Sequence, residues 1–593
     1  METDKIRNVA IIAHVDHGKT TLVDQLFRQC GTFRTNEAVT ERMMDNMDLE
    51  RERGITIRAK NGTMHYKDYQ INIVDTPGHA DFGGEVERTL RMADGALLLV
   101  DAQEGPMPQT YFVLKKALAH RLPVVVVINK IDRPAARARW AVDQVFDLFV
   151  TLDAPHSILD FHVVFASARE GHASLDPAHP GTDMTPIFDA ILKYIPPPRG
   201  SSDAPLQVQV ASIDHSSFLG RLGIGKITAG RVAPNQPVIL ATAKGTMEPG
   251  RITKVYRFER NRTVETEGAG AGDIVALAGF EGVLVGDTYT DPLDPRPLPA
   301  LPMDPPTVSM NFLPNNSPFA GREGTYSTGT HLAERLRQEV LRDVALHIEE
   351  LTDTVGFKVS GRGELHISIK VETMRREGYE FQVSCPHVIL KEENGILLEP
   401  YEDVTLDVPE ACAGTVIEKL GGRKGMMVEM VQDAGMVRLR YTIPTRGLFG
   451  FKSEFMSDTK GMGVLNYIFH GYDRHVGEMK KRHNGVLVSM DPCTTVAYAL
   501  FKLQDRGRLF LGPGEPIYRG QIVGEHCRDN DLQVNPGKGK KLTNIRAAGR
   551  DENVVLTPPT RLSLEECIDY INDDELVEVT PLSVRLRKRP DGI

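Results

Sequence analysis

The chain has 593 residues, a formal net charge of −10, and 41% hydrophobic against 25% charged residues. This length divides into about four domains, each able to bury its own core, and the acidic balance excludes indiscriminate coating of nucleic acid, so any such contact must come from local basic patches. Six cysteines without C-x-x-C spacing read as reduced thiols, and with no leader-type stretch before the first strand and no apolar run of bilayer length the chain is expected to be cytoplasmic, without membrane contact.

Residues 9–13 are an apolar run of strand length, and residues 20–27 have helical spacing. The loop between them ends in Gly18, Lys19 and Thr20, the strand–loop–helix setting of a Walker A phosphate loop, although Ala13 stands where its first glycine usually is. Backbone N–H groups and a helix N-terminus favour phosphate oxygens there. Lys19 is expected to neutralise the β- and γ-phosphates and the Thr20 hydroxyl to hold Mg²⁺. Asp16, His17 and Gly18 of the same loop, and Thr21 just after it, are candidate nucleotide contacts.

Residues 71–75 form a second buried-type strand that ends in Asp75-Thr-Pro-Gly78. A carboxylate at the end of a strand reaches magnesium through water, and Gly78 brings its N–H to the γ-phosphate because no side chain intervenes. A third strand, residues 124–129, leads into Asn129-Lys130-Ile131-Asp132. Asp132 accepts from the ring N–H and exocyclic amine of guanine; adenine offers neither donor in that arrangement, so the carboxylate selects GTP over ATP. Ser167 and Ala168, after a fourth strand at 162–165, complete the base pocket with a backbone N–H to guanine O6. Taken singly, such segments also occur as β–α and Pro-Gly turns. In this order, with Arg53-Gly-Ile-Thr56 between the first two, they predict a GTP-hydrolysing switch on an α/β P-loop domain over residues 1–200.

A proline-rich linker at 194–205 closes that domain. Short alternating strands separated by glycine turns over 206–294 predict a β-barrel. Two small α+β units of ferredoxin-like type follow at 307–391 and 395–477, and a β-rich domain at 480–593. The last contains residues 535–550, with Lys538, Lys540, Lys541, Arg546 and Arg550 among glycines and no acidic residue, a composition suited to RNA phosphates. Ser563 and Glu566 have capping-box spacing before a structural helix carrying Leu564, Cys567 and Ile568. Residues 585–589 are a second basic stretch, equally readable as a solvated strand end.

The D-H-G-K-T loop at 16–20, the R-G-I-T segment at 53–56 and D-T-P-G-H at 75–79 resemble the translational GTPases. That resemblance implies that His79 orients the attacking water, where Ras-like relatives use glutamine. It also implies that Val15 and Ile55 gate His79 and that Thr56 binds magnesium only in the GTP state. Nothing in the sequence identifies an arginine finger in cis, although Arg51 and Arg53 are candidates. The second, third and fourth domains are similar to the second, third and fifth domains of elongation factor G, with no room for its fourth.

With the 480–593 ending, essentially the whole chain resembles the TypA/BipA family of ribosome-associated GTPases. The resemblance implies ribosome binding at the elongation-factor site, chiefly on the large subunit and its rRNA, and a C-terminal domain that reaches the tRNA acceptor end. It implies large-subunit assembly, translation under cold or other stress, and a monomer off the ribosome. Two other readings stay open: a LepA-like elongation GTPase acting on translating ribosomes, and a GTP-gated RNA binder in which hydrolysis only resets the switch.

Overall fold

The computed structural model describes residues 3–30, 48–53, 56, 59–77, 83–216, 220–243, 245–260, 262–299, 305–343, 345–433, 435–479, 481–539 and 555–590. It divides into two compact units, Met1–Asp304 with Asn466–Ile468, and Pro305–Leu465 with Phe469–Ile593.

Seven strands build the first sheet: β1 (Ile6–Ala13), β2 (Lys60–Tyr66), β3 (Tyr69–Asp75), β4 (Gly95–Asp101), β5 (Val124–Asn129), β6 (His162–Ser167) and β7 (His172–Ser174). Their spatial order is β2-β3-β1-β4-β5-β6-β7. β1 is buried at every position because helices cover both faces. Val9, Ile11 and Ala13 pack with Leu22, Leu26 and Phe27 of α1 (Lys19–Gln29). Ala10 and Ile12 pack with Val86, Leu90, Val113 and Phe149 on the other side. That double burial is why the strand reads as an unbroken apolar run rather than an alternation.

β1 runs parallel to both β3 and β4, so the strand order reverses across it. Open α/β sheets bind ligands outside the carboxyl ends of their strands at such a point. The register sets Ile11 opposite Asp75, Ala13 opposite Leu99 and Asp101 opposite Asn129. Asp75, Asp101 and Asn129 therefore share one edge.

A nine-stranded antiparallel sheet follows, the β-barrel domain that its glycine turns predict. Its longest strand, Gly220–Ala229, pairs with Gln207–Gln209, Ser212–Ser216 and Ile274–Ala278. Val208, Ile227, Leu240, Val255, Val275 and Leu277 fill its interior. The barrel docks on the first sheet through Val74, Met92, Leu222, Ile224 and Ala276, reinforced by a Lys226–Asp94 ion pair at 2.7 Å.

In the second unit, Val308–Pro314 pairs antiparallel with Phe357–Gly361 and with Phe381–Val383. The helices Gly329–Arg342 and Glu364–Arg376 contribute Leu332, Leu336, Ile367 and Val371 to the core of this sheet. Two strands from the end of the chain, Glu575–Val579 and Val584–Lys588, complete the same sheet, with Gln382 opposite Glu578. The sheet thus runs across the boundary expected at residue 480. Val577, Val579 and Leu586 bury with Phe312 and Phe381. The Glu578 carboxylate accepts from Asn315 Nδ2 at 2.9 Å, Ser317 Oγ at 2.6 Å and Tyr518 Oη at 2.6 Å.

A separate α+β unit is built on strands Ile396–Pro409, Met426–Asp433 and Met436–Pro444, with helix Glu410–Gly422. Beyond it lies a four-stranded sheet around Leu487, Leu500, Leu509, Val523 and Val534. The Ser563–Glu566 capping box forms as its spacing predicts, and Leu564, Cys567 and Ile568 are buried. The basic stretch at 585–589 is largely neutralised within the fold: Arg585 pairs with Glu323, and Lys588 with Asp531, Asp574 and Glu575. No helix among the described residues is long and apolar enough to cross a membrane.

Candidate GTP-binding site

The carboxyl ends of the first sheet open into a cleft of about 620 Å³. Its lining includes Val15, Asp16, Gly18, Lys19, Thr20, Thr21, Thr56, Asn129, Lys130, Asp132 and Ala168. The sequence scatters these residues over more than 150 positions; the parallel register brings them to one edge.

The phosphate loop takes its shape from two left-handed residues, Asp16 at φ 64° and Gly18 at φ 92°. Gly18 ends the loop at the N-terminus of α1, so backbone N–H groups are presented to the cleft. Val15, half-buried, has its N–H on Gln109 Oε1 at 3.4 Å. His17 is fully buried and does not line the cleft. Its Nδ1 accepts from the Asp101 N–H at 3.3 Å, and its Nε2 lies 3.6 Å from Glu104. The ring is a prop beneath the loop, and what His17 offers a nucleotide is backbone.

Asn129 joins the phosphate loop to the base loop: its Nδ2 donates to His17 O at 2.8 Å, and its Oδ1 accepts from the Ala168 N–H at 2.9 Å. Ser167, fully buried, donates to Asp132 Oδ1 at 2.8 Å and aims that exposed carboxylate. The Ala168 amide is thus engaged by Asn129. Ile131 does not line the cleft: its N–H bonds Ala166 O at 3.3 Å and its side chain packs against the core. Lys130 pairs with Asp101 at 2.7 Å.

Lys19 Nζ lies 2.9 Å from Asp75 Oδ1 and donates to Thr76 O. The Thr56 hydroxyl is 3.4 Å from Asp75 Oδ2. The structure thus gathers Lys19, Thr56 and Asp75, with Thr20 on the same cleft wall. Ile55, Gly78 and His79 lie outside the described residues, as do the side chains of Arg51 and Arg53. Of the basic loop's cationic residues only Lys538 lies within the described residues, and it is exposed; Lys540, Lys541, Arg546 and Arg550 also lie outside.

Asp101, Glu104 and Arg133 are parts of the site that the motifs do not announce. Burial would raise the Asp101 carboxyl, but the bonds from Lys130 and the Gln103 N–H outweigh it and hold the group below the usual carboxylate range. The neighbouring His17 ring likewise holds Glu104 down, against burial. A readable signal existed for Asp101: like Asp75, it is a carboxylate at the end of an apolar strand run.

Comparisons with known proteins fit this arrangement. Residues 4–197 match the family model of the elongation factor Tu GTP binding domain, 220–290 its domain 2, 396–483 the elongation factor G C-terminus, and 484–591 the TypA/BipA C-terminal domain. The chain is 54% identical over 588 residues to the large ribosomal subunit assembly factor BipA of Escherichia coli K12, covering 99% of this chain and 97% of that one.

The chain belongs to the TypA/BipA family.

The protein of the same name from Bacillus subtilis 168 is 52% identical over 587 residues, with coverages of 98% and 96%. A crystal structure of a Thermus thermophilus protein, 17% identical, aligns over 80% of this chain and 98% of its own with a TM-score of 0.55, and shares the fold. As a TypA/BipA member with an elongation-factor-type GTP binding domain, the protein is a GTPase and binds guanine nucleotide.

Proposed function

We propose that this TypA/BipA GTPase is stimulated by the ribosome and serves large-subunit assembly and translation under cold or other stress, in the cytoplasm and as a monomer off the ribosome. The observation that carries the reading is identity of 54%, over 99% of the chain, to a protein named as a large ribosomal subunit assembly factor. The TypA/BipA C-terminal match weighs against a LepA-like reading. Lys538 and the rest of its loop are assigned to ribosomal RNA, and the C-terminal domain to the tRNA acceptor end.

GTP is assigned to the cleft between Gly18 and Asp132. Asp132, aimed by Ser167, reads the guanine edge; Lys19 serves the β- and γ-phosphates. The donor set of Thr20 and Thr56 hydroxyls and the Asp75 carboxylate is all hard oxygen, which fits Mg²⁺. Asp75 is 2% exposed, with the Lys19 ammonium against it. A buried carboxylate that already faces a cation fits a site where Lys19 turns to phosphate and a dication takes its place. Bound there, Mg²⁺ would neutralise charge on the β- and γ-phosphates. His79 is assigned the attacking water, and ribosome binding its passage beyond Val15 and Ile55.

The test is GTP turnover by the purified full chain, alone and with 70S ribosomes or separate subunits. Supplying a missing catalytic contribution in trans is worth roughly 10³–10⁵ in rate in other GTPases. Strong stimulation by ribosomes or large subunits is expected. Its absence would leave the GTP site standing and overturn the assigned partner.

A further inference from the structure

The turn after strand Phe381–Val383 carries Cys385 and Pro386 and leads into strand His387–Val388. Asp573 lies far along the chain, between helix Leu564–Tyr570 and strand Glu575–Val579. Because that strand completes the sheet beside Phe381–Val383, the two segments meet. Cys385 Sγ is 3.4 Å from His387 Nε2 and 3.0 Å from Asp573 Oδ1, and His387 Nε2 is 3.9 Å from the same oxygen.

We propose that Cys385, His387 and Asp573 form a binding site for one divalent ion of the zinc class, separate from the nucleotide cleft. One sulfur, one imidazole nitrogen and one carboxylate oxygen lie within 4.8 Å of one another. A tetrahedral zinc ion with bonds of about 2.3 Å to sulfur and about 2.0–2.1 Å to nitrogen and oxygen would hold such atoms roughly 3.3–3.6 Å apart. The three separations depart from that by about 0.6 Å at most, within reach of side-chain adjustment. The mixed thiolate, imidazole and carboxylate set suits zinc rather than magnesium or calcium, which take oxygen alone.

A second role for the same trio, a cysteine nucleophile activated by histidine, is disfavoured. Burial pushes the Cys385 thiol up to about 12, and the thiolate is the reactive form. Metal binding makes the thiolate as it proceeds: the S–H bond breaks, a sulfur–metal bond forms, and one proton leaves to solvent. Lys481, a neighbouring cation, is tied to Pro386 O at 3.1 Å. Arg589 and Lys358 are further cations near the cluster, and the two negative charges of thiolate and Asp573 counter this positive surrounding.

With three protein ligands the fourth position falls to water, and access is open, since the His387 and Asp573 side chains are 47% and 77% exposed. The ion would clip the 384–388 turn to the 571–574 segment, at the junction where the end of the chain enters the sheet. Binding free energy from such a clip adds directly to folding stability.

The experiment uses the full chain stripped with EDTA, held in excess Mg²⁺ and GDP, and titrated with Co²⁺ and then Zn²⁺. One equivalent of Co²⁺ is expected to give a thiolate-to-cobalt charge-transfer band that Zn²⁺ abolishes, and Zn²⁺ should raise the melting temperature. Cys385→Ser should eliminate the band, while Cys567→Ser, which removes a different buried thiol, should keep it. His387→Ala and Asp573→Asn alter exposed side chains and serve if Cys385→Ser fails to fold. Each should weaken binding roughly tenfold or more, since even outer partners of metal sites cost that much. Absence of a band at saturating Co²⁺, a band that survives Cys385→Ser, or unchanged affinity in the His387 and Asp573 variants would each overturn the site.

Discussion

Gly18 and Asn129 meet at the floor of the nucleotide cleft with no room between them: a methyl group on Gly18 would lie 2.5 Å from Asn129 Nδ2. The same glycine sits at φ 92°, a conformation that costs an L-residue about 1–2 kcal/mol. Gly18→Ala therefore strains the phosphate loop and drives Asn129 off both His17 O and Ala168 N. GTP affinity should fall at least about tenfold, the equivalent of ~1.4 kcal/mol, while the rest of the fold survives. A nucleotide titration with a parallel melting curve checks this; wild-type affinity would show that the clamp does not matter.

Asp132 is exposed and positioned by Ser167 at 2.8 Å. Asp132→Asn turns an acceptor into a donor at the edge assigned to the base, so preference should move from guanine toward xanthine nucleotides. Sites built around a substrate's donor discriminate strongly against analogues that lack it. Competition between GTP and XTP measures the shift, and unchanged GTP preference would remove Asp132 from the base-reading role.

The pattern of what the sequence revealed follows from locality. The phosphate loop, the strand ends carrying Asp75 and Asn129, and the capping box at Ser563 are each specified within a few residues, so composition and spacing disclose them. Asp101 and Glu104 act through Lys130 and His17, and those partnerships exist only once parallel strands align. The pairing of Phe381–Val383 with Glu575–Val579 spans almost two hundred residues. Neither strand's own pattern names its partner, so a boundary near residue 480 reads naturally from the chain although the sheet crosses it.

Asp101 gives a pH signature. Its side chain is fully buried, and although burial opposes ionisation, Lys130 at 2.7 Å and the Gln103 N–H at 2.7 Å keep its carboxyl below the ordinary 3.8. A carboxylate depressed by folding contributes stability above its unfolded-state pKa and loses that contribution as pH falls through the folded value. Asp101→Asn should thus destabilise the first unit near neutral pH by about 1–3 kcal/mol, the usual cost of stranding a buried partner. The deficit should shrink as pH drops below 3.8. Melting curves across acid pH decide it; a deficit that does not change with pH would assign the loss to packing instead.

His79→Ala should leave GTP binding nearly intact and abolish ribosome-stimulated turnover, because the proposed role concerns only the attacking water. Single-turnover hydrolysis with saturating ribosomes separates this from a binding defect. Stimulation equal to wild type would refute the assignment.

Removing residues 480–593 is the obvious way to ask what the C-terminal domain does, but the sheet makes it more than a domain deletion. The cut takes away Glu575–Val579, the hydrogen-bonding partner of Phe381–Val383, and leaves that strand as an open edge, a template for aggregation. It also strips Ile568, Ile571, Val577, Val579 and Leu586 from a core shared with Phe312 and Phe381. Each buried aliphatic side chain is worth about 1.5–3 kcal/mol, so the loss is comparable to the whole 5–15 kcal/mol by which domains are usually stable. The truncated chain should keep a folded, GTP-binding first unit while the sheet at 305–391 becomes protease-sensitive or aggregates. Limited proteolysis with mass spectrometry reads this directly. Equal protection of 305–391 in both chains would mean that this sheet stands without the strands from the end of the chain.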